Sequence, residues 1–304
     1  MVLGMSIGRF LLVLALAVSP LAILVFRPRR MGGGFWRNLF RLSRDNWPQV
    51  GVLAVLYVMK NYVDTLNDPI RGVFGDFTYL IYSLEGDLVL WIQQAFYHPW
   101  LTEVLNYNYL FGYIFLTYFS FILTAYAGHE RLATRMVLNV LIVYVLAIPF
   151  YVFFNVQVTS NYIPGVISLL YHDSASFLSF FAAVDPLDNA WPSLHIGIPF
   201  GFLVLFWWQG RREGADFAAD PYRRYMILIG AQLLVFVFSI MYLGIHWALD
   251  IPGGLLVGYA GALVVDELGD DVHRGLMGTR AVVNGAVGQA WQGLRDRLRA
   301  LGGG

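Results

Sequence analysis

The stretch Tyr242-Leu243-Gly244-Ile245-His246-Trp247-Ala248-Leu249-Asp250 sets a histidine and an aspartate four positions apart. On a helix that spacing puts both side chains on one face. A carboxylate on one imidazole nitrogen fixes the tautomer and makes the other nitrogen a better nucleophile or base. The same residues also read as two caps, His246 closing one helix and Asp250 opening the next ahead of Pro252. A second histidine stands upstream in Trp191-Pro192-Ser193-Leu194-His195. Proline suits the first turn of a helix and serine caps it. Such a start presents free backbone N–H groups, which attract a phosphate. By itself it reads first as an ordinary capped helix with an interfacial histidine.

These side chains need helices to hold them, and the composition says of what kind. Hydrophobic residues make up 58% of the 304-residue chain and charged residues 13%, with a mean hydropathy of +0.60. That leaves too little polar surface to cover a soluble core. Several runs approach the roughly 20 apolar residues that cross a bilayer. The expectation is an all-α polytopic membrane helix bundle of about six or seven transmembrane helices. Spans are predicted near 10–26, 47–66, 107–127, 135–155, 192–208, 225–243 and 251–268. Residues 67–106 carry scattered acids and aromatics, and predict helices along the interface, partly re-entrant. Residues 1–46 read as an anchor helix with a basic interfacial segment, 47–268 as the membrane-embedded domain, and 269–304 as a polar cytoplasmic tail. No cysteine is present, which removes disulfides, thiolate metal sites and cysteine nucleophiles. A formal net charge of zero gives a nucleic-acid partner no electrostatic support.

Loop charges set an orientation. Arg27, Arg29, Arg30, Arg37, Arg41 and Arg44 face only Asp45 in the segment after the first span. Further arginines gather in 131–135, 211–224 and 274–299, which are alternate loops. By the positive-inside rule those loops are cytoplasmic. His195 and His246 then fall together on the extracytoplasmic side of a multi-pass protein in the cell membrane.

Pro-Ser-x-His at 192–195, followed by Gly-x-His-x-x-x-Asp at 244–250, resembles the type 2 phosphatidic acid phosphatase superfamily. Ser239, seven residues before His246, matches the serine that opens that family's third motif. Trp-Pro-Ser-Leu-His, with Leu194 where phosphatases usually have glycine, is most similar to the inositol phosphorylceramide synthase branch. The resemblance spans roughly residues 45–268 and implies a phosphatidic-acid-phosphatase-type core. It also implies roles: His246 as nucleophile forming a phosphohistidine, Asp250 orienting it, and His195 as general acid and then base. Backbone amides near Ser193 and Leu194 would help hold the phosphate, with no metal or other cofactor. The implied partners are membrane lipids, as a lipid phosphate or headgroup lipid. The phosphoryl group would pass to water, to an inositol-like alcohol or to a second lipid.

Two of the family's cations are missing. Its first motif, a lysine with Arg-Pro seven residues on, is absent, and the arginine after the motif serine is Ile240. A phosphate needs cations or many N–H donors. The predicted outer side offers Arg9, Lys60 and Arg71, of which Lys60 is the first candidate, by snorkelling, and Arg71 the second. Lys60 and Asp64 are also spaced to form a structural ion pair. A different class of function stays open too: a transporter using His195, His246 and Asp250 as an outer proton relay, or a noncatalytic member of the fold. If Lys60 holds phosphate, Lys60→Met abolishes most lipid-phosphate turnover; unchanged turnover returns it to Asp64.

Overall fold

The computed structural model describes residues 7–26, 35–55, 58–59, 74–170, 190–214 and 221–301. Helices supply its regular structure. Among the described residues there is no strand, only an isolated bridge between Asp76 and Asn155. In chain order the helices are α1 (Ile7–Phe26), α2 (Phe35–Asp45), α3 (Thr78–Glu85), α4 (Leu88–Phe96) and α5 (Pro99–Tyr107). A π turn (Asn108–Gly112) joins α5 to α6 (Tyr113–Tyr126). Then come α7 (Glu130–Phe153), the short α8 (Thr159–Tyr162), α9 (Leu194–Arg212), α10 (Pro221–Tyr242) and α11 (Asp250–Leu301).

Four helical runs are long and apolar enough to cross a membrane: Pro99–Tyr126, Glu130–Phe153, Tyr222–Tyr242 and Asp250–Asp296. The chain is therefore an all-helical bundle of a membrane protein. The first expected span is α1, Ile7–Phe26, of 20 residues. The second lies partly outside the described residues, which show helix at 47–55.

Three expectations are revised. The third span begins at Pro99 rather than near Tyr107, because the π turn carries α5 straight into α6. The predicted fifth span is α9, of 19 residues, and it is not among the four. Gly197, Pro199 and Gly201 dilute its apolar run, which Gln209, Arg211 and Arg212 then close. Protein surrounds it: α9 packs against α11, α10 and α7. The seventh helix does not stop near 268 but continues to Leu301. Ion pairs steady it where a break was expected, since Arg135 reaches Asp266 at 3.5 Å and Asp270 at 3.4 Å. Arg212 adds a bidentate grip on Asp266, at 2.7 and 2.5 Å.

Backbone contact between α9 and α11 brings the two motifs together. A Cβ on Gly258 would collide with the carbonyl oxygen of Gly197, and one on Gly254 would stand 2.5 Å from the carbonyl oxygen of Ser193. Small residues let membrane helices approach this closely and gain dispersion energy that lipid tails cannot match. Asn139 of α7 fills the gap beside Gly201 and donates to Ile198 O at 3.0 Å. The two helices thus start side by side, tied by Ser193 N donating to Asp250 O at 3.3 Å. The arginine ion pairs lie at the other end of the bundle. Gly258→Val drives a branched side chain into rigid backbone, and overpacking of this kind costs about 1–3 kcal/mol. Thermal melting in detergent should fall accordingly, while Gly275→Val, with open space around the glycine, should leave it unchanged.

Candidate active site

The histidine loop begins where α10 ends, and a glycine makes the turn. Gly244 has φ +74°, a conformation side chains resist. A Cβ there would also stand 2.6 Å from Ile167 O and 2.9 Å from Gln93 Nε2. Gln93 is buried and clamps the loop from outside: its amide donates to Ile167 O at 2.7 Å and Tyr242 O at 2.9 Å, and accepts from Ile167 N at 2.9 Å. The amide of His246 donates to Ile240 O at 3.1 Å. Trp247 is fully buried and donates its indole N–H to Gln157 O at 2.8 Å. Backbone and ring together leave His246 one orientation.

His246 Nδ1 lies 2.8 Å from Asp250 Oδ2 and 2.9 Å from Ala190 O. A carbonyl and a carboxylate both accept, so Nδ1 carries the proton and Nε2 keeps its lone pair. Asp250 is itself fully buried, and Oδ2 also accepts from Trp247 N at 2.8 Å. The i,i+4 spacing thus makes a hydrogen-bonded pair, although a loop rather than a continuous helix carries His246. Asp250 is the first residue of α11, but its carboxylate turns back to His246 and Trp247 rather than onto the amides of that helix.

His195 lies in the first turn of α9, with its ring centroid 6.5 Å from that of His246. Two tyrosines sandwich it: Tyr109 stacks at 4.0 Å and Tyr113 packs at 4.1 Å between centroids. Tyr109 Oη is 2.9 Å from His195 Nδ1, which leaves Nε2 as the nitrogen available elsewhere. Ser193, buried at the N-cap, places Oγ 3.5 Å from His246 Nε2, the outer limit of a hydrogen bond. Its amide donates to Asp250 O at 3.3 Å. The first-turn amides of Leu194 and His195 have no acceptor among the described residues.

The other expected residues divide. Ser239 is buried, but its hydroxyl donates to Val235 O at 2.7 Å, back along its own helix. Lys60 and Arg71 lie outside the described residues, as does His172. His98 caps α5 by accepting from Trp100 N. His129 pairs with Tyr222 at the arginine end of the bundle.

Sequence reasoning missed Glu85, Gln93, Tyr109 and Tyr113. The tyrosines stand in an aromatic-rich run where nothing separates a site residue from a lipid-facing one. Glu85, at the end of α3, accepts from the backbone amides of Ala248, at 2.8 Å, and of Leu249, by a very short bond. Burial pushes its carboxyl above the usual range, and the two N–H donors pull the other way. No protein-family model, no curated protein and no solved structure matches this chain.

Glu85 fixes the loop between His246 and Asp250. Glu85→Ala leaves the Ala248 and Leu249 amides unmet, at about 1–3 kcal/mol for each group that water does not reach. The expected result is a lower melting temperature in detergent, with a broadened His246 imidazole resonance.

Proposed function

We propose that the chain is a membrane phosphotransferase or phosphatase of the type 2 phosphatidic acid phosphatase kind, acting on lipid phosphate or phosphodiester head groups. The observation that carries this reading is the tautomer of His246. Its Nδ1 proton is claimed by Asp250 and Ala190 O, so the Nε2 lone pair is the nucleophile. In the first half-reaction Nε2 attacks phosphorus and the bond from phosphorus to the leaving oxygen breaks. His195, as imidazolium, gives its Nε2 proton to that oxygen while Tyr109 Oη accepts from Nδ1. In the second, water or an alcohol gives its proton to His195 Nε2 as its oxygen attacks phosphorus, and the P–N bond breaks. Positive charge developing on His246 is met by the buried Asp250 carboxylate.

The lone pair of His246 Nε2, on the loop before α11, lies near the ring of His195 in the first turn of α9, as a nucleophile and its acid–base partner require. The leading amides of α9, at Leu194 and His195, supply donors for phosphate oxygens. Arginine loops at the far end favour an extracytoplasmic site by the positive-inside rule. The missing family cations and Leu194 lean the reading toward transfer to an inositol-like or lipid acceptor. Lys60 and Arg71 remain the candidates for the phosphate's counter-charge.

Purified protein in detergent would be given ³²P-labelled phosphatidic acid, and label on the protein followed beside released phosphate and new lipid. His195→Ala should slow turnover about 10²–10⁴-fold, with label accumulating on His246 if the leaving group departs unaided. His246→Ala should show neither label nor turnover. Full turnover in His246→Ala would overturn the reading.

A further inference from the structure

Beside the histidines lies a pair of amide side chains that the chemistry above does not use. Asn108 begins the π turn and Gln232 stands in the middle of α10, so both lie inside runs long and apolar enough to cross a membrane. Gln232 reaches over Gly112: a Cβ on that glycine would stand 2.8 Å from Gln232 Nε2 and 3.3 Å from Asn108 Oδ1. The absent side chain is what lets the two amides share this space. Asn108 Nδ2 and Gln232 Nε2 are both buried without a hydrogen-bond partner. An unmet buried donor is costly, and polar groups at membrane depth are functional suspects.

Their position relative to the histidines gives the pair a meaning. Phe236 lies one turn from Gln232 on the same face of α10, about 6 Å along the helix axis. Its ring packs against His195 at 6.2 Å and Tyr109 at 6.4 Å between centroids. Gln232 therefore lies about one helical turn further into the apolar layer than that contact, and Asn108 stands next in the chain to Tyr109, which stacks on His195.

We infer that Asn108 Nδ2 and Gln232 Nε2 form a binding site for the linkage oxygens of a lipid backbone, the ester carbonyls or ether oxygens that join chains to the headgroup unit. This deepens and rests on the lipid-phosphate reading. With phosphorus at His246, the first chain-bearing oxygens of a glycerolipid lie a few bonds away, where the amides beside Tyr109 and Phe236 would meet them. The donors find their acceptors only when lipid is bound. The site selects a lipid over a water-soluble phosphate ester by more than its apolar chains.

The test separates binding from turnover by using protein that carries His246→Asn. Dissociation constants would be measured in detergent for dioleoyl phosphatidic acid, for its dialkyl ether analogue and for hexadecyl phosphate. The last has a chain and a phosphate but no backbone oxygen. Gln232→Leu and Asn108→Leu should each weaken the ester or the ether lipid about tenfold, the loss of one hydrogen bond, and leave hexadecyl phosphate unchanged. The lipid that loses more identifies the linkage. Equal affinities with and without the amides, or an equal loss for hexadecyl phosphate, would overturn the inference. Melting temperature controls for folding, and removing unmet polar groups should not lower it. Absent turnover in the unmutated protein would count against the phosphotransfer reading, whereas the binding comparison bears on the amide site.

Discussion

Everything at the site depends on how closely α9 and α11 approach. In a bilayer no hydrophobic effect presses two helices together, so their contact must come from surface fit. Gly197, Gly254 and Gly258 remove the side chains that would hold the backbones apart. The gain is positional as much as energetic. With the axes this close, Ser193 N reaches Asp250 O and the Trp191 indole reaches Leu249 O at 3.2 Å. Two histidines 51 positions apart in the chain, His195 and His246, then face each other across one small space. A wider crossing would leave both rings intact and set them too far apart to act on one phosphorus.

A second layer fixes orientation rather than distance. His246 would rotate freely on a loop, yet Asp250 and Ala190 O hold one nitrogen, and Gly244, Gln93 and Glu85 hold the backbone on either side. His195 is held by rings, with Tyr109 and Tyr113 flanking its imidazole. The π turn at Asn108–Gly112 adds a residue to the helical repeat next to Tyr109, and such turns recur where side chains must be re-aimed. Among the described residues the arginine ion pairs lie at the far end, where they brace α7, α9 and α11.

How the chain reads depends on the range over which each signal acts. The apolar runs are local, so membrane helices followed from composition and length alone. The breaks between them were less legible. Gly269 looked like a helix end because glycine weakens isolated helices, but the ion pairs of Asp266 and Asp270 with Arg135 come from α7 and keep α11 continuous. Gly201 of α9 carries no such signal in sequence, and in space it makes room for Asn139.

The sequence by itself determined the all-helical membrane class and singled out His195, His246 and Asp250, because residue type and short spacing are properties of the chain. It left open whether His246 and Asp250 were caps or a pair. Only the tertiary structure decided that they are a pair, since the answer depends on where Ala190 O and Trp247 N lie. It also committed the Ser193 amide to Asp250, turned the Ser239 hydroxyl back to Val235, and brought in Tyr109, Gln93 and Glu85. The contacts made by Ala190, Tyr109, Gln93 and Glu85 join residues from 56 to 164 positions apart. No local pattern encodes a meeting of that range; it exists once the helices have packed.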